Sequence, residues 1–375
     1  MKAKLKDKIP VLLMIFLLVN LGFSQSKTND LKTDNPLKTR LDSVVHKKVL
    51  SYYEDNRAVG LSMVILQNGK KHYYNYGETQ FGSGILPTKK TIYELGSITK
   101  TFTGILLAQA VLDKKINLDD DIRKYLPGEF PNLEYKGTPI RVVDLSNHTG
   151  RITRVFKNLW QREAYDSLNP YTSYTKKLLY EGLHEMKLDS LVGKTSSYSN
   201  MGVGLLGVIL EDVYKVPYFN LVNKYVLSPL KMNNTITDNN VSSVPSRDLA
   251  MPHNAKKQVT PRWDSGELFA IGSLESNTED MIKYVVGNIS NATPAIALSH
   301  KLTYGSLNEG MGLNWYIHKT NKGSLLFGHN GGAGGSRSTL QFFPELNSGF
   351  VLLTNSLANR NILEKEISEL LDDKK

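Results

Sequence analysis

The chain is 375 residues long, 40% hydrophobic and 22% charged, with a formal charge of +10. That length supplies one large domain or two interleaved ones around a sizeable core, and leaves room for disorder only near the ends. The complete lack of cysteine excludes disulfides, thiolate metal sites and a cysteine nucleophile.

Lys2, Lys4, Lys6 and Lys8 precede an apolar run from Val11 to Phe23, broken by Asn20 and Gly22, and Gly22 and Ser24 then stand before Gln25. A charged start, a short apolar middle and small residues at the end are the layout of a cleaved signal peptide, here 1–24. The run is shorter than the roughly 20 residues of a spanning helix, and no cysteine follows it to carry a lipid. A periplasmic or secreted protein is expected, with no stable membrane insertion after cleavage. Loss of four lysines and one aspartate would leave a net charge of about +7. A basic surface suits anionic partners such as cell-wall polymer, although a solvated charged surface is the plainer reading. No basic cluster with interleaved aromatics and no zinc spacing is present, so nucleic acid is not an expected partner.

Residues 25–40 are polar and read as a flexible leader. From Leu41 to Tyr53, apolar residues recur at helical spacing. Two β-prone runs, Gly60 to Leu66 and Lys71 to Tyr76, flank Asn68-Gly69, a strong hairpin signal. Helices are predicted at Lys100 to Leu112, Met201 to Val213 and Asn277 to Asn288. The acidic stretch Asp119-Asp120-Asp121 reads as a helix start and lacks the glycine and distal glutamate of a calcium loop. Strand character returns at Leu325 to His329, Ser338 to Phe343 and Gly349 to Thr354, and Asn361 to Leu371 closes as an amphipathic helix. The expected fold is α/β (α+β): an antiparallel sheet flanked by helices, built from 41–96 and 311–375, with an inserted all-helical lobe over about 97–310.

Three short stretches carry candidate chemistry. In Ser97-Ile98-Thr99-Lys100, positions i and i+3 share a helix face, so a lysine of lowered pKa can take the serine's proton. The N–H of Ser97, near a helix start, is placed to meet a developing oxyanion. In Tyr198-Ser199-Asn200 the tyrosine can act as phenolate base or proton relay, and the asparagine amide can orient a substrate carbonyl and hold the lysine. A buried tyrosine and a helix cap are the plainer alternatives. In Gly328-His329-Asn330-Gly331-Gly332-Ala333-Gly334-Gly335 the glycines admit a substrate backbone, or simply form a turn. No Lys-Ser/Thr follows them, so this is not a phosphate loop.

Ser97-x-x-Lys100, Tyr198-x-Asn200 and His329-x-Gly331, in that order, resemble the three-motif signature of serine β-lactamases and penicillin-binding proteins. The Tyr-x-Asn form is similar to the class C branch, with its D-Ala-D-Ala carboxypeptidases and esterases. Leu145 to Gly150, Pro229 to Met232 and Gly312 to Trp315 resemble further recurring pieces, so the likeness spans roughly 59–355. It implies an acyl-enzyme on Ser97, with Lys100 and Tyr198 sharing the proton transfers. Asn200, His329, Gly331 and Gly332 would bind substrate, and the N–H groups of Ser97 and Gly332 would form the oxyanion hole. The implied substrate is a β-lactam or a D-amino-acid peptide, with an ester or a non-turnover penicillin sensor as alternatives. No metal or cofactor is implied, and a monomer is expected. Two departures stand out: His329 replaces the lysine of typical class C β-lactamases, and Gly150-Arg151 replaces the usual Ser-Gly. His148 reads as structural, and Arg151 and Arg154 as exposed loop arginines able to meet an anion.

Overall fold

Strands from the two ends of the chain meet in one antiparallel sheet. The computed structural model describes residues 31–373; the expected signal peptide and the first part of the leader lie outside the described residues. The leading helix α1 (Arg40–Tyr53) is followed by the hairpin β1 (Gly60–Gln67) and β2 (Lys70–Gly77). Asn68 and Gly69 both take positive φ, +52° and +72°, as the two central residues of a type I′ turn require.

The short strand β3 (Tyr93–Glu94) leads into α2 (Thr99–Leu112), and a second long helix, α3, covers Asn200–Tyr214. Two more short strands follow, β4 (Ile236–Thr237) and β5 (Leu274–Ser276), and then α4 (Thr278–Ile289). The C-terminal part supplies β6 (Tyr304–Gly305), β7 (Glu309–Met311), β8 (Tyr316–Lys319), β9 (Leu325–Gly332), β10 (Arg337–Phe343), β11 (Ser348–Thr354) and the helix α5 (Asn361–Leu371). The main sheet runs β2-β1-β11-β10-β9-β8-β7-β6.

Helices α1 and α5 close one face of this sheet over a core that includes Val45, Val49, Phe350 and Ile367. On the other face lie α4 and, behind it, α2. Helix α2 is apolar nearly all round, as a helix in the middle of a core must be. Phe102 on α2 stacks on Tyr284 of α4 at 4.1 Å. Two of its threonines are satisfied by tyrosine hydroxyls, Thr101 by Tyr284 at 2.9 Å and Thr103 by Tyr218 at 2.8 Å.

Two sequence expectations are corrected. Residues 33–35, assigned to a flexible leader, are docked on the sheet: Thr33 bridges Tyr76, and Asp34 accepts from the backbone and side chain of Asn75 at 2.7 and 2.6 Å. Asn35 donates to the Tyr76 hydroxyl at 2.7 Å. This segment covers the otherwise open edge of β2. The stretch 97–310 is also not all helical. It contains β4 to β7, and α4 packs on β1, β10 and β11, so the sheet domain resumes near residue 274. An amphipathic helix shows that it has a partner but not which one. Leu106 of α2, 1% exposed, tests the weight of this core. Leu106→Ala is expected to cost about 2–5 kcal/mol in denaturant unfolding, and a loss below about 1 kcal/mol would contradict the packing described.

Candidate active site

Ser97 sits in a single 3₁₀ turn, Gly96–Ile98, that runs directly into α2. Lys100 is one turn further on, and its Nζ lies 3.0 Å from Ser97 Oγ. The rest of the lysine is enclosed, with no exposed surface. Its amine also donates to the Ile271 carbonyl at 2.6 Å and makes no hydrogen bond to Asn200 among the described residues. Burial, and secondarily the charge of Arg154, holds Lys100 well below the usual lysine range. An amine so placed gives up its proton more readily than a free lysine, which is what serine activation requires.

Tyr198 ends the loop before α3, and its hydroxyl donates to Ser97 Oγ at 2.7 Å. Burial pushes this phenol up to about 12, against the opposing pull of the Ser97 hydrogen bond and the Arg154 charge. The phenol is therefore protonated at neutral pH, which favours the proton-relay role over a resting phenolate. His148 positions it. The imidazole packs on the Tyr198 ring at 4.6 Å, accepts from the Ser199 N–H at 3.3 Å, and is held neutral by burial, with its pKa down to about 3. The guanidinium of Arg154 covers the Tyr198 ring at 5.1 Å. The two loop arginines thus divide: Arg151 pairs with Asp189 at 2.9 Å, whereas Arg154 faces the cleft.

The glycine-rich stretch is strand rather than turn as far as Gly332. A Cβ on Gly331 would fall 2.0 Å from the Leu95 carbonyl oxygen, so only glycine lets β9 approach the chain that carries Ser97. Across the same contact, a Cβ on Gly96 would lie 2.7 Å from the Gly332 nitrogen, and Gly96 has φ of +50°. The Gly332 amide is thereby beside Ser97. His329 is buried, with Nδ1 2.7 Å from the Asn330 carbonyl and Nε2 unpartnered among the described residues. Nδ1 carries the proton in that contact, which leaves Nε2 an acceptor. Burial, and then Lys100, lowers its pKa to about 3, so His329 contributes no positive charge.

Asn200 donates through Nδ2 to the Tyr171 hydroxyl at 2.8 Å, and its buried Oδ1 has no partner among the described residues. The amide is thus fixed with a free acceptor. Glu94 braces the whole arrangement. Its buried carboxylate accepts from the Trp263 N–H at 2.8 Å and from the Ser336 hydroxyl at 2.6 Å, joining β3, the 262–267 loop and the turn after β9. Ser97 opens on one side into a cleft of about 640 Å³ and on the other into a recess of about 30 Å³ beside Asn200 and Tyr171.

All seven sequence-identified residues thus gather around Ser97. Tyr171, Trp263, Tyr316, Arg337 and the Ile271 carbonyl were not singled out from the sequence. The lysine's environment has a measurable consequence. At neutral pH the unfolded chain protonates Lys100 while the folded chain resists it, so this site's stability contribution falls as pH drops below about 10.4, the value for free lysine. Lys100→Met is expected to raise the melting temperature at pH 7, with the gain shrinking as pH approaches 10.4. An unchanged or lowered melting temperature at pH 7 would contradict a buried neutral amine.

A family model described as Beta-lactamase matches residues 45–370. The chain is similar to the D-alanyl-D-alanine-carboxypeptidase/endopeptidase AmpH of Escherichia coli (strain K12), 24% identical over 322 residues that cover 81% of each protein. It is also similar to a Beta-lactamase of Pseudomonas fluorescens, 27% identical over 303 residues, covering 78% of this chain and 79% of the other. Among solved structures, the Beta-Lactamase/D-Alanine Carboxypeptidase from Pseudomonas syringae shares the fold, with a TM-score of 0.74 at 21% identity over 89% of this chain and 98% of that one. Fold, motif order and family match agree: the chain belongs to the beta-lactamase family and is an enzyme of its serine-hydrolase type.

Proposed function

We propose that this protein is exported and hydrolyses an amide bond through an acyl-enzyme on Ser97, acting on a β-lactam or a D-amino-acid peptide. The observation that carries the reading is the Ser97 hydroxyl within hydrogen-bond reach of both Lys100 and Tyr198. Ser97 Oγ attacks the carbonyl carbon and its proton passes to the lone pair of Lys100. The N–H groups of Ser97 and Gly332 hold the oxyanion, and Asn200 Oδ1 accepts an N–H from the substrate. As the C–N bond breaks, the leaving nitrogen takes the proton of Tyr198, which Lys100 resupplies. A water then gives its proton to the same pair and attacks the acyl carbon. The ester bond breaks and Ser97 regains its proton.

Export rests on the predicted signal peptide and agrees with the described residues, among which no helix is long and apolar enough to cross a membrane. One observation favours a second reading. The uncharged His329 grips a substrate carboxylate less firmly than a lysine would, which brings a carboxylesterase of the same fold into play.

A fluorescent penicillin separates these readings. Fast hydrolysis without stable label identifies a β-lactamase; stable label identifies a D,D-peptidase or sensor; neither, with turnover of a short-chain p-nitrophenyl ester, identifies an esterase. In every case Ser97→Ala is expected to abolish acylation, and retained turnover would overturn the assignment. Tyr198→Phe is expected to slow the reaction by about 10²–10⁴, the range for general acid–base catalysis. A change under about threefold would remove Tyr198 from the mechanism.

A further inference from the structure

The cleft beside Ser97 is charged, but not where the family signature would put the charge. His329 is neutral. Three arginines line the cleft, Arg154, Arg337 and Arg360, and no acidic side chain does. Arg360 and Arg337 each already spend part of the guanidinium on the protein itself. Arg360 pairs with Glu364 and donates to Thr339 and Ser338. Arg337 uses Nη1 on the carbonyls of Ala333 at 2.6 Å and Ser336 at 2.7 Å, holding the glycine turn. The exposed guanidinium of Arg154 has no ion pair and no hydrogen bond among the described residues, only the face of the Tyr198 ring beneath it. A planar fork with all its donors free, laid over an aromatic ring at the rim of a cleft, is suited to a carboxylate.

The side of the scissile bond it serves follows from the proton path. The group that protonates the leaving atom must face the leaving group, and Tyr198 lines the large cleft and not the small recess. The leaving group therefore enters the large cleft on the Tyr198 side, with Arg154, while the recess beside Asn200, about 30 Å³, has room for no more than a water-sized group.

We infer that Arg154 is a specificity-determining residue that binds a carboxylate on the leaving group of the substrate. This inference rests on the acyl-serine reading and adds the residue that takes over the anion grip His329 cannot provide.

The test compares two aryl esters of one acyl group, an m-carboxyphenyl ester and the plain phenyl ester, by kcat/KM in the wild type, Arg154→Met and Arg154→Lys. Both esters share Ser97, Lys100 and Tyr198, so any effect of Arg154 on those groups cancels in the ratio. The wild type is expected to prefer the carboxylate ester. Arg154→Met should reduce that preference by roughly 10–100-fold, the range for loss of a charge-assisted hydrogen bond, mainly through KM. Arg154→Lys, which keeps the charge but not the fork, should fall between the two. Equal rates for both esters in the wild type, or a preference that survives Arg154→Met within about threefold, would overturn the inference and leave the hydrolase reading standing. Turnover of neither ester, with Ser97 unlabelled, would sink the hydrolase reading and this inference together.

Discussion

A lysine amine stripped of water and sealed between a serine hydroxyl and a backbone carbonyl is the interaction on which the rest of this site depends. Taking a lysine fully out of water costs several kcal/mol if it stays protonated, and a neutral amine avoids most of that cost. Helix α2 imposes the burial because it runs through the middle of the core with apolar neighbours on nearly every side. The Ile271 carbonyl then satisfies one N–H and leaves the lone pair for Ser97. Chemistry and stability pull in opposite directions here. The same desolvation that makes Lys100 a base makes it a liability to the fold.

The serine must also be held still relative to groups from distant parts of the chain. Two devices do this. Gly331 brings β9 into contact with the Leu95 carbonyl, which sets the Gly332 amide beside the nucleophile. Glu94, on the strand just before Ser97, ties the Trp263 backbone and the Ser336 side chain to the same point. A buried carboxylate is tolerable only with such partners. In return it ties the strand turn and the loop to the chain that carries the nucleophile, so that Ser97 is held within reach of both Lys100 and Tyr198.

Much of this was legible in the sequence, for identifiable reasons. The Asn68-Gly69 turn, α1, α5 and the strands β9 to β11 follow local rules of turn chemistry and periodicity, and Ser97-x-x-Lys100 is a local spacing on one helix. What long-range packing decides was not legible. The Ile271 carbonyl is backbone and leaves no trace in residue type. Arg151 and Arg154 look alike in the chain, and only the fold gives Asp189 to one and the Tyr198 ring to the other. The docked segment 33–35 is polar and reads as leader, yet its polar groups are what an open strand edge needs. Helix α4 shows an apolar face in sequence, but its assignment to the sheet rather than the helical lobe comes only from its contacts.

The charge state of Lys100 is the most direct test of this account. With ¹³C-labelled lysine in the full-length protein, and Lys100→Met to assign the resonance, the Cε shift can be followed against pH. Lys100 is expected to be already in the neutral-amine position at pH 7 and to titrate well below the free-lysine value of about 10.4. A Cε signal that reports a charged lysine at pH 7 and titrates near that free value would contradict it.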